Sequence, residues 1–179
     1  LLLHTCCSPC LLTIIENLTN YYDPIIFFFN SNISSYEEYL KRKNEVVKIA
    51  DIYKLDAIYE PEYNNNIWTD LIKGYEGCEE GGIRCELCFT FRLNETIKFA
   101  NSNKIDYFST TISTSKYKND ILIDKISHSL EKDYSVKYLP NKFDKDVIYK
   151  KSLSLSKKYN IYRQKYCGCK FSLKNGAIP

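Results

Sequence analysis

Methionine is absent from the 179 residues, so the chain as read begins after its initiator and is expected to have been trimmed at the N-terminus. No apolar run approaches the ~20 residues of a membrane span. The densest, Pro24-Ile25-Ile26-Phe27-Phe28-Phe29, has the length of a buried strand. Leu1-Leu2-Leu3-His4 is too short for the apolar region of a signal peptide and lacks its basic start. Internal repeats and linkers are missing as well, which leaves one domain over residues 1–179. A strong charge of either sign is lacking: the formal net charge of +3 permits nucleic-acid binding without requiring it. These absences argue against a membrane or secreted protein and for a cytoplasmic one.

A hydrophobic content of 44% and a charged content of 26% suit a globular domain large enough to bury a core without disulfide staples. The 16 tyrosines and 9 phenylalanines offer stacking surfaces for bases, although packing accounts for most of them.

Short apolar runs alternate with segments of helical period. Strands are expected at 1–5, 25–29, 57–59, 107–112 and 137–139, and helices at 9–20, 36–53, 67–73, 84–101, 120–132 and 144–159. The helix over 36–53 presents Tyr36, Tyr39, Leu40, Val46, Val47 and Ala50 as one buried face, with Lys41-Arg42-Lys43 on the solvated side. The stretch Pro61 to Gly82 is polar and glycine-bearing. This alternation predicts an α/β fold: a doubly wound, mainly parallel sheet with helices on both faces. Ligands of such sheets lie beyond the strand ends at the switch in strand order, where the loop after strand one meets Thr110 to Lys118.

What the chain does have is thiols. Seven of eight cysteines fall into three clusters: Cys6-Cys7-Ser8-Pro9-Cys10, Cys85-Glu86-Leu87-Cys88 and Cys167-Gly168-Cys169. Disulfide scaffolds are usually smaller, with dispersed cysteines, so metal or redox use in a reducing compartment is favoured. Ser8 is expected as an N-cap and Pro9 as the first helical residue, which puts Cys7 and Cys10 on a first helical turn that favours thiolate. Cys85 and Cys88 repeat the three-residue spacing. Together these four suit a 4Fe–4S cluster. Adjacent Cys6 and Cys7 are expected to point apart, which frees Cys6 to join Cys167 and Cys169 in three thiolates around a second metal with an open, catalytic position. The roles of Cys6 and Cys10 remain interchangeable. A structural zinc site from Cys7, Cys10, Cys85 and Cys88 would leave Cys6 and the CxC pair unexplained. Cys78 is read as a spare thiol, His4 as either a ligand, a proton donor or a core histidine, and His128 as a surface residue without a partner.

These residues resemble the QueH-type epoxyqueuosine reductases. The matching stretches are His4-Thr5-Cys6-Cys7-Ser8-Pro9-Cys10, Tyr36-Glu37-Glu38-Tyr39-Leu40, Glu80-Gly81-Gly82-Ile83-Arg84-Cys85-Glu86-Leu87-Cys88-Phe89, Arg92-Leu93, Thr110 to Lys116, and Tyr162-Arg163-Gln164-Lys165-Tyr166-Cys167-Gly168-Cys169. Tyr117-Lys118 departs from the histidine-containing stretch expected after the serine. The resemblance implies a fold similar to the adenine-nucleotide α-hydrolase (HUP-like) group, with the CCxxC in the place of its phosphate loop. It implies a 4Fe–4S cluster beside a mononuclear iron, and removal of the epoxide oxygen of epoxyqueuosine at the tRNA wobble position. A tRNA carrying epoxyqueuosine and an unidentified electron donor are then the partners. His4, Arg84, Arg92, Ser115, Lys116 and Arg163 are the candidates for substrate contact, the cations for phosphate. An ATP-dependent tRNA sulfur transferase would want a glycine/serine-rich loop where Cys6 to Cys10 stands, and a zinc-stapled RNA-binding module is the non-enzymatic alternative.

Overall fold

Five short parallel strands set the frame: β1 (Leu2–His4), β2 (Ile25–Phe28), β3 (Ala57–Tyr59), β4 (Tyr107–Thr110) and β5 (Lys137–Tyr138), in the order β3-β2-β1-β4-β5. The computed structural model describes residues 1–60 and 62–173; Pro61, which opens the expected polar stretch, lies outside them. Leu3 lies opposite Ile26 on one side and Ser109 on the other, so the strand order switches between β1 and β4. Six helices connect and cover the sheet: α1 (Ser8–Leu18), α2 (Tyr36–Tyr53), α3 (Asn65–Leu71), α4 (Ile83–Ser102), α5 (Asp120–Leu130) and α6 (Lys145–Lys158). This is the expected doubly wound architecture.

Alternation along the strands divides the core in two. Leu2, Phe27 and Phe108 pack with Leu93, Ile97, Ile123 and Ile126 of α4 and α5. Leu3, Ile26 and Phe28 pack with Leu11, Ile14, Val46 and Ile49 of α1 and α2. Side-chain caps mark several helix starts. Ser35 Oγ accepts from Glu38 N–H (3.4 Å), Asn119 Oδ1 from Leu122 N–H (3.0 Å), and Asp144 Oδ1 from Asp146 and Val147 N–H (2.9 and 3.0 Å).

Three expectations need correction. The N-cap of α1 is Cys7, in extended backbone (φ −168°), so Ser8 is helical and caps nothing. On α2, Tyr36 is exposed and Val47 only half-buried, because the buried stripe runs through Tyr39, Arg42, Val46, Ile49 and Ala50. Arg42 is thus a core residue, not part of a solvated run. His128 is exposed but has a partner in Glu131 (3.1 Å). No helix among the described residues is long and apolar enough to cross a membrane.

Candidate metal and redox site

The chain leaves β1 at the middle of the sheet and turns directly into α1. Cys6 N–H donates to Thr111 Oγ1 (3.3 Å), joining this turn to the loop after β4 across the strand-order switch, as the topology predicted. Contrary to the expected divergence, the Cys6 and Cys7 sulfurs lie 3.8 Å apart, and with Cys10 all three fall within 4.8 Å of one another.

A second group forms where the start of α4 meets the C-terminal loop. Cys85 and Cys88 share a face of α4, and Cys88 packs with Cys169, Trp68, Ile72 and Phe171. The contact of Cys88 with Cys169 places the CxC loop beside the CxxC pair. Gly81 N–H points at Cys85 Sγ (3.2 Å). Cys78 contributes its carbonyl to Arg84 and is half-buried in the preceding turn.

Arg42 fastens the CxC loop. Its Nε donates to Glu38 Oε1 (2.7 Å), Nη1 to the Cys167 carbonyl (3.0 Å) and Nη2 to the Tyr166 carbonyl (3.0 Å). Tyr162 Oη donates to the other Glu38 oxygen (2.8 Å), and Ser34 N–H holds the Gly168 carbonyl (3.0 Å). Gly168 adopts φ +112°, and a Cβ there would stand 3.0 Å from Ile33 Cγ1 and 3.1 Å from Arg42 Nη1. Only glycine fits this turn without strain.

The sulfurs share charge within each group. Hydrogen bonds from Cys10 and then Cys7 drive Cys6 well below the ordinary thiol range, and the same bonds push Cys10 up. Donation from Cys169 likewise drives Cys167 down and Cys169 up. Burial pushes Cys88 up to about 12. Arg92 lies among these groups, fully within the protein, with Nη2 donating to Asn30 Oδ1 (2.6 Å). Burial works against its charge, but Cys88, Cys6 and Cys167 outweigh it and raise its pKa. Lys118, paired with Glu80 (2.8 Å), is raised against burial by Cys167 and Glu80.

An open cleft of about 850 Å³ reaches these thiols. Cys6, Cys7, Cys10 and Cys167 line it, together with Arg92, Ser115, Lys116 and Arg163 from the expected substrate set. Lys116 Nζ sits 3.8 Å from the centre of the Tyr149 ring. Arg163 is held by Ser152 and Ser156 (2.7 and 2.9 Å to their Oγ atoms), which orients its guanidinium within the protein. Two expected contacts stand elsewhere. His4 is wholly buried, with Nδ1 2.9 Å from Thr110 Oγ1 and Nε2 3.1 Å from the Phe29 carbonyl. Burial, then Arg92, depresses it to about 3, so it is a neutral core histidine with both nitrogens engaged. Arg84 is buried over the Phe171 ring and donates to the Tyr75, Glu76 and Cys78 carbonyls, because the turn before α4 folds back over it. Sequence reasoning missed Arg42, Lys118, Tyr149 and Tyr166. Only Arg42 carried a signal, its three- and four-residue spacing from Tyr39 and Val46.

The family model for epoxyqueuosine reductase QueH matches residues 1–175. The chain belongs to that family. Among its relatives, the epoxyqueuosine reductase QueH of Thermotoga maritima is 39% identical, over 96% of this chain and 89% of its own length. That of Staphylococcus epidermidis is 38% identical, over 98% and 77%. A solved structure of the U34-tRNA thiolase NcsA from Methanococcus maripaludis, with its [4Fe-4S] cluster, superposes with a TM-score of 0.56 at 15% identity. It is matched over 96% of this chain and 61% of its own, and the likeness establishes a shared HUP-like fold.

Cys6, Cys7 and Cys10 have the spacing that could hold a metal ion. With metal–sulfur bonds near 2.3 Å, tetrahedral coordination sets sulfurs about 3.8 Å apart. Cys6 and Cys7 already stand at that separation. Ser8 Oγ and Arg92 Nε, both buried beside the thiols, have no hydrogen-bond partner among the described residues. Such donors suit the outer sphere of sulfur-rich anionic groups.

Proposed function

We propose that this chain is an oxidoreductase of tRNA modification that converts epoxyqueuosine to queuosine at the wobble position, in the cytoplasm. Family membership supports the reaction. The observation that carries it to this chain is the meeting of Cys6, Cys7 and Cys10 with Cys167 on one cleft, with Cys88 packed against Cys169 of the same CxC loop. Overall, the epoxide loses its oxygen as water and becomes an alkene, consuming two electrons and two protons. The electrons come from an external donor.

The compact trio Cys6, Cys7 and Cys10 suits one iron ion with a position left for the epoxide oxygen. Cys85, Cys88, Cys167 and Cys169 supply the four thiolates of a 4Fe–4S cluster. This exchanges Cys7 and Cys10 with Cys167 and Cys169 relative to the division expected from spacing. When bound, these groups supply Lewis acidity and single-electron transfer. The chain does the rest. Arg92 balances sulfur charge between the two groups, and Arg42 and Gly168 fix the CxC loop. The nucleoside must leave the anticodon stack to enter, and Tyr149, with Lys116, lies on its path.

Anaerobic incubation of metal-loaded protein with epoxyqueuosine-tRNA and a chemical reductant, followed by nucleoside mass spectrometry, tests the reading. Queuosine is expected, and its absence with a full iron complement refutes it. Sulfur transfer is the rival suggested by the thiolase fold. It requires ATP-dependent incorporation of sulfur into tRNA, and Cys6 to Cys10 occupies the turn where a phosphate loop would be needed. Zinc in place of iron on metal analysis would support the RNA-binding module instead.

A further inference from the structure

Residues 1–136 hold 14 Lys and Arg against 20 Asp and Glu, whereas residues 137–179 hold 11 against 2. The net charge of +3 therefore conceals a strongly basic C-terminal quarter joined to an acidic body. Much of that charge stands on α6, where Lys150, Lys157 and Lys158 are exposed and Lys151 is half-exposed. The side chains of Lys150 and Lys157 make no ion pair or hydrogen bond among the described residues. Lys158 only overlies its neighbour Tyr159, and Lys151 only approaches Glu16 at 3.9 Å.

Seven residues are close to two helical turns. Lys150 and Lys157, and Lys151 and Lys158, thus form two pairs along one face, about 10 Å apart within each pair. The opposite face, with Ile148, Ser152 and Ser156, is buried. Tyr149 lies between the two and lines the cleft with Ile148 and Ser152, and exposed Lys116 marks its rim. A ridge of outward-facing cations, of which Lys150 and Lys157 have no ion pair among the described residues, thus runs beside the cleft, while the net charge of residues 1–136 has the sign that repels a polyanion.

We propose that the exposed face of α6 docks the phosphate backbone of a folded RNA arm whose target nucleoside enters the cleft past Tyr149. The identity of that nucleoside rests on the reductase reading; the docking face does not. Phosphate contacts of this kind position a nucleic acid and make its affinity salt-dependent.

The test is binding of fluorescently labelled epoxyqueuosine-tRNA to metal-loaded protein across a salt series. The variants are Lys150→Glu/Lys157→Glu/Lys158→Glu and the charge-matched Lys104→Glu/Lys125→Glu/Lys132→Glu on the α4–α5 face. Melting temperatures serve as the folding control. The α6 variant should raise Kd at least 10-fold near physiological salt and flatten the log Kd against log salt slope by about 2 to 3. The matched variant should change both far less. Equal losses in the two variants, or an α6 variant that binds like wild type, would overturn the proposal. So would retention of wild type on anionic lipid vesicles with none on tRNA. Steep, α6-dependent tRNA binding without queuosine formation would sink the reductase reading and leave the docking face standing.

Discussion

Replacing Arg42 by alanine should both destabilise the fold and release the CxC loop, and the two effects can be separated. The guanidinium is 3% exposed and its Glu38 partner 9%. Removing one member of such a pair strands the other charge in the core, at a cost of about 3–5 kcal/mol. At 2–4 °C per kcal/mol for a chain of this size, melting should fall by about 6–20 °C. The carbonyls of Cys167 and Tyr166 lose their donors at the same time. A Glu38→Gln/Arg42→Met double variant distinguishes the roles. It removes both charges while keeping volume and a carbonyl for Tyr162, so most of the melting temperature should return. The CxC loop should stay loose, because methionine donates nothing to it. Calorimetry, together with alkylation rates at Cys167 and iron per chain, reads the two effects. A loss under about 3 °C in R42A, or normal iron content in the double variant, would show that Arg42 does not act as this bracket.

Gly168→Ala should cost at least about 1–2 kcal/mol in urea unfolding from backbone strain, and more iron than stability, because the new methyl pushes on Arg42. Wild-type stability and iron content would count against the close approach at that turn. If the sulfurs divide as proposed, Cys10→Ala should lose the single iron but keep the visible absorption of the cluster, while Cys88→Ala should lose that absorption. Loss of the absorption in both would reject the division. Burial raises the Glu60 carboxyl above its ordinary value, with its bond from Asn30 N–H only partly opposing this. The folded state therefore binds the proton more tightly than the unfolded state, and this group costs stability as pH rises from about 4.5 through its raised pKa. Glu60→Gln should remove that slope and gain stability at neutral pH. A slope identical to wild type in denaturation at pH 4.5 and 7 would contradict it.

The sheet and most of its helices were legible because period and punctuation agreed. The helix over 36–53 was expected at the residues it occupies, with Ser35 before it and left-handed Lys54 after it. The site was less legible, for three physical reasons. Charge masked Arg42, whose position on the apolar stripe was plain but whose carboxylate and carbonyl partners come from a neighbouring turn and the far end of the chain. Sequence adjacency misled at Cys6 and Cys7, because the relative direction of two neighbouring side chains depends on the two soft backbone torsions between them, which spacing does not reveal. Long cations misled at Arg84, where nothing in the spacing foretold that the turn at 75–78 closes back over the guanidinium.

The clamp on the CxC loop also sets an order of assembly. Cys6 and Cys167 meet at the same cleft although nearly the whole chain separates them, and the loop bearing Cys167 and Cys169 is pinned by Arg42 and Ser34 from the first third. At typical synthesis rates of about 5–20 residues per second, the first thiols precede the last by roughly 8–30 s. Through that interval the early cysteines have no C-terminal partners, so Cys6 gains Cys167 across the cleft, and Cys88 gains Cys169, only after the final turns dock. If the sulfurs divide as proposed, the Cys85, Cys88, Cys167 and Cys169 group is filled late, and a nascent chain stalled before Tyr162 carries five of its seven clustered thiols without the CxC pair.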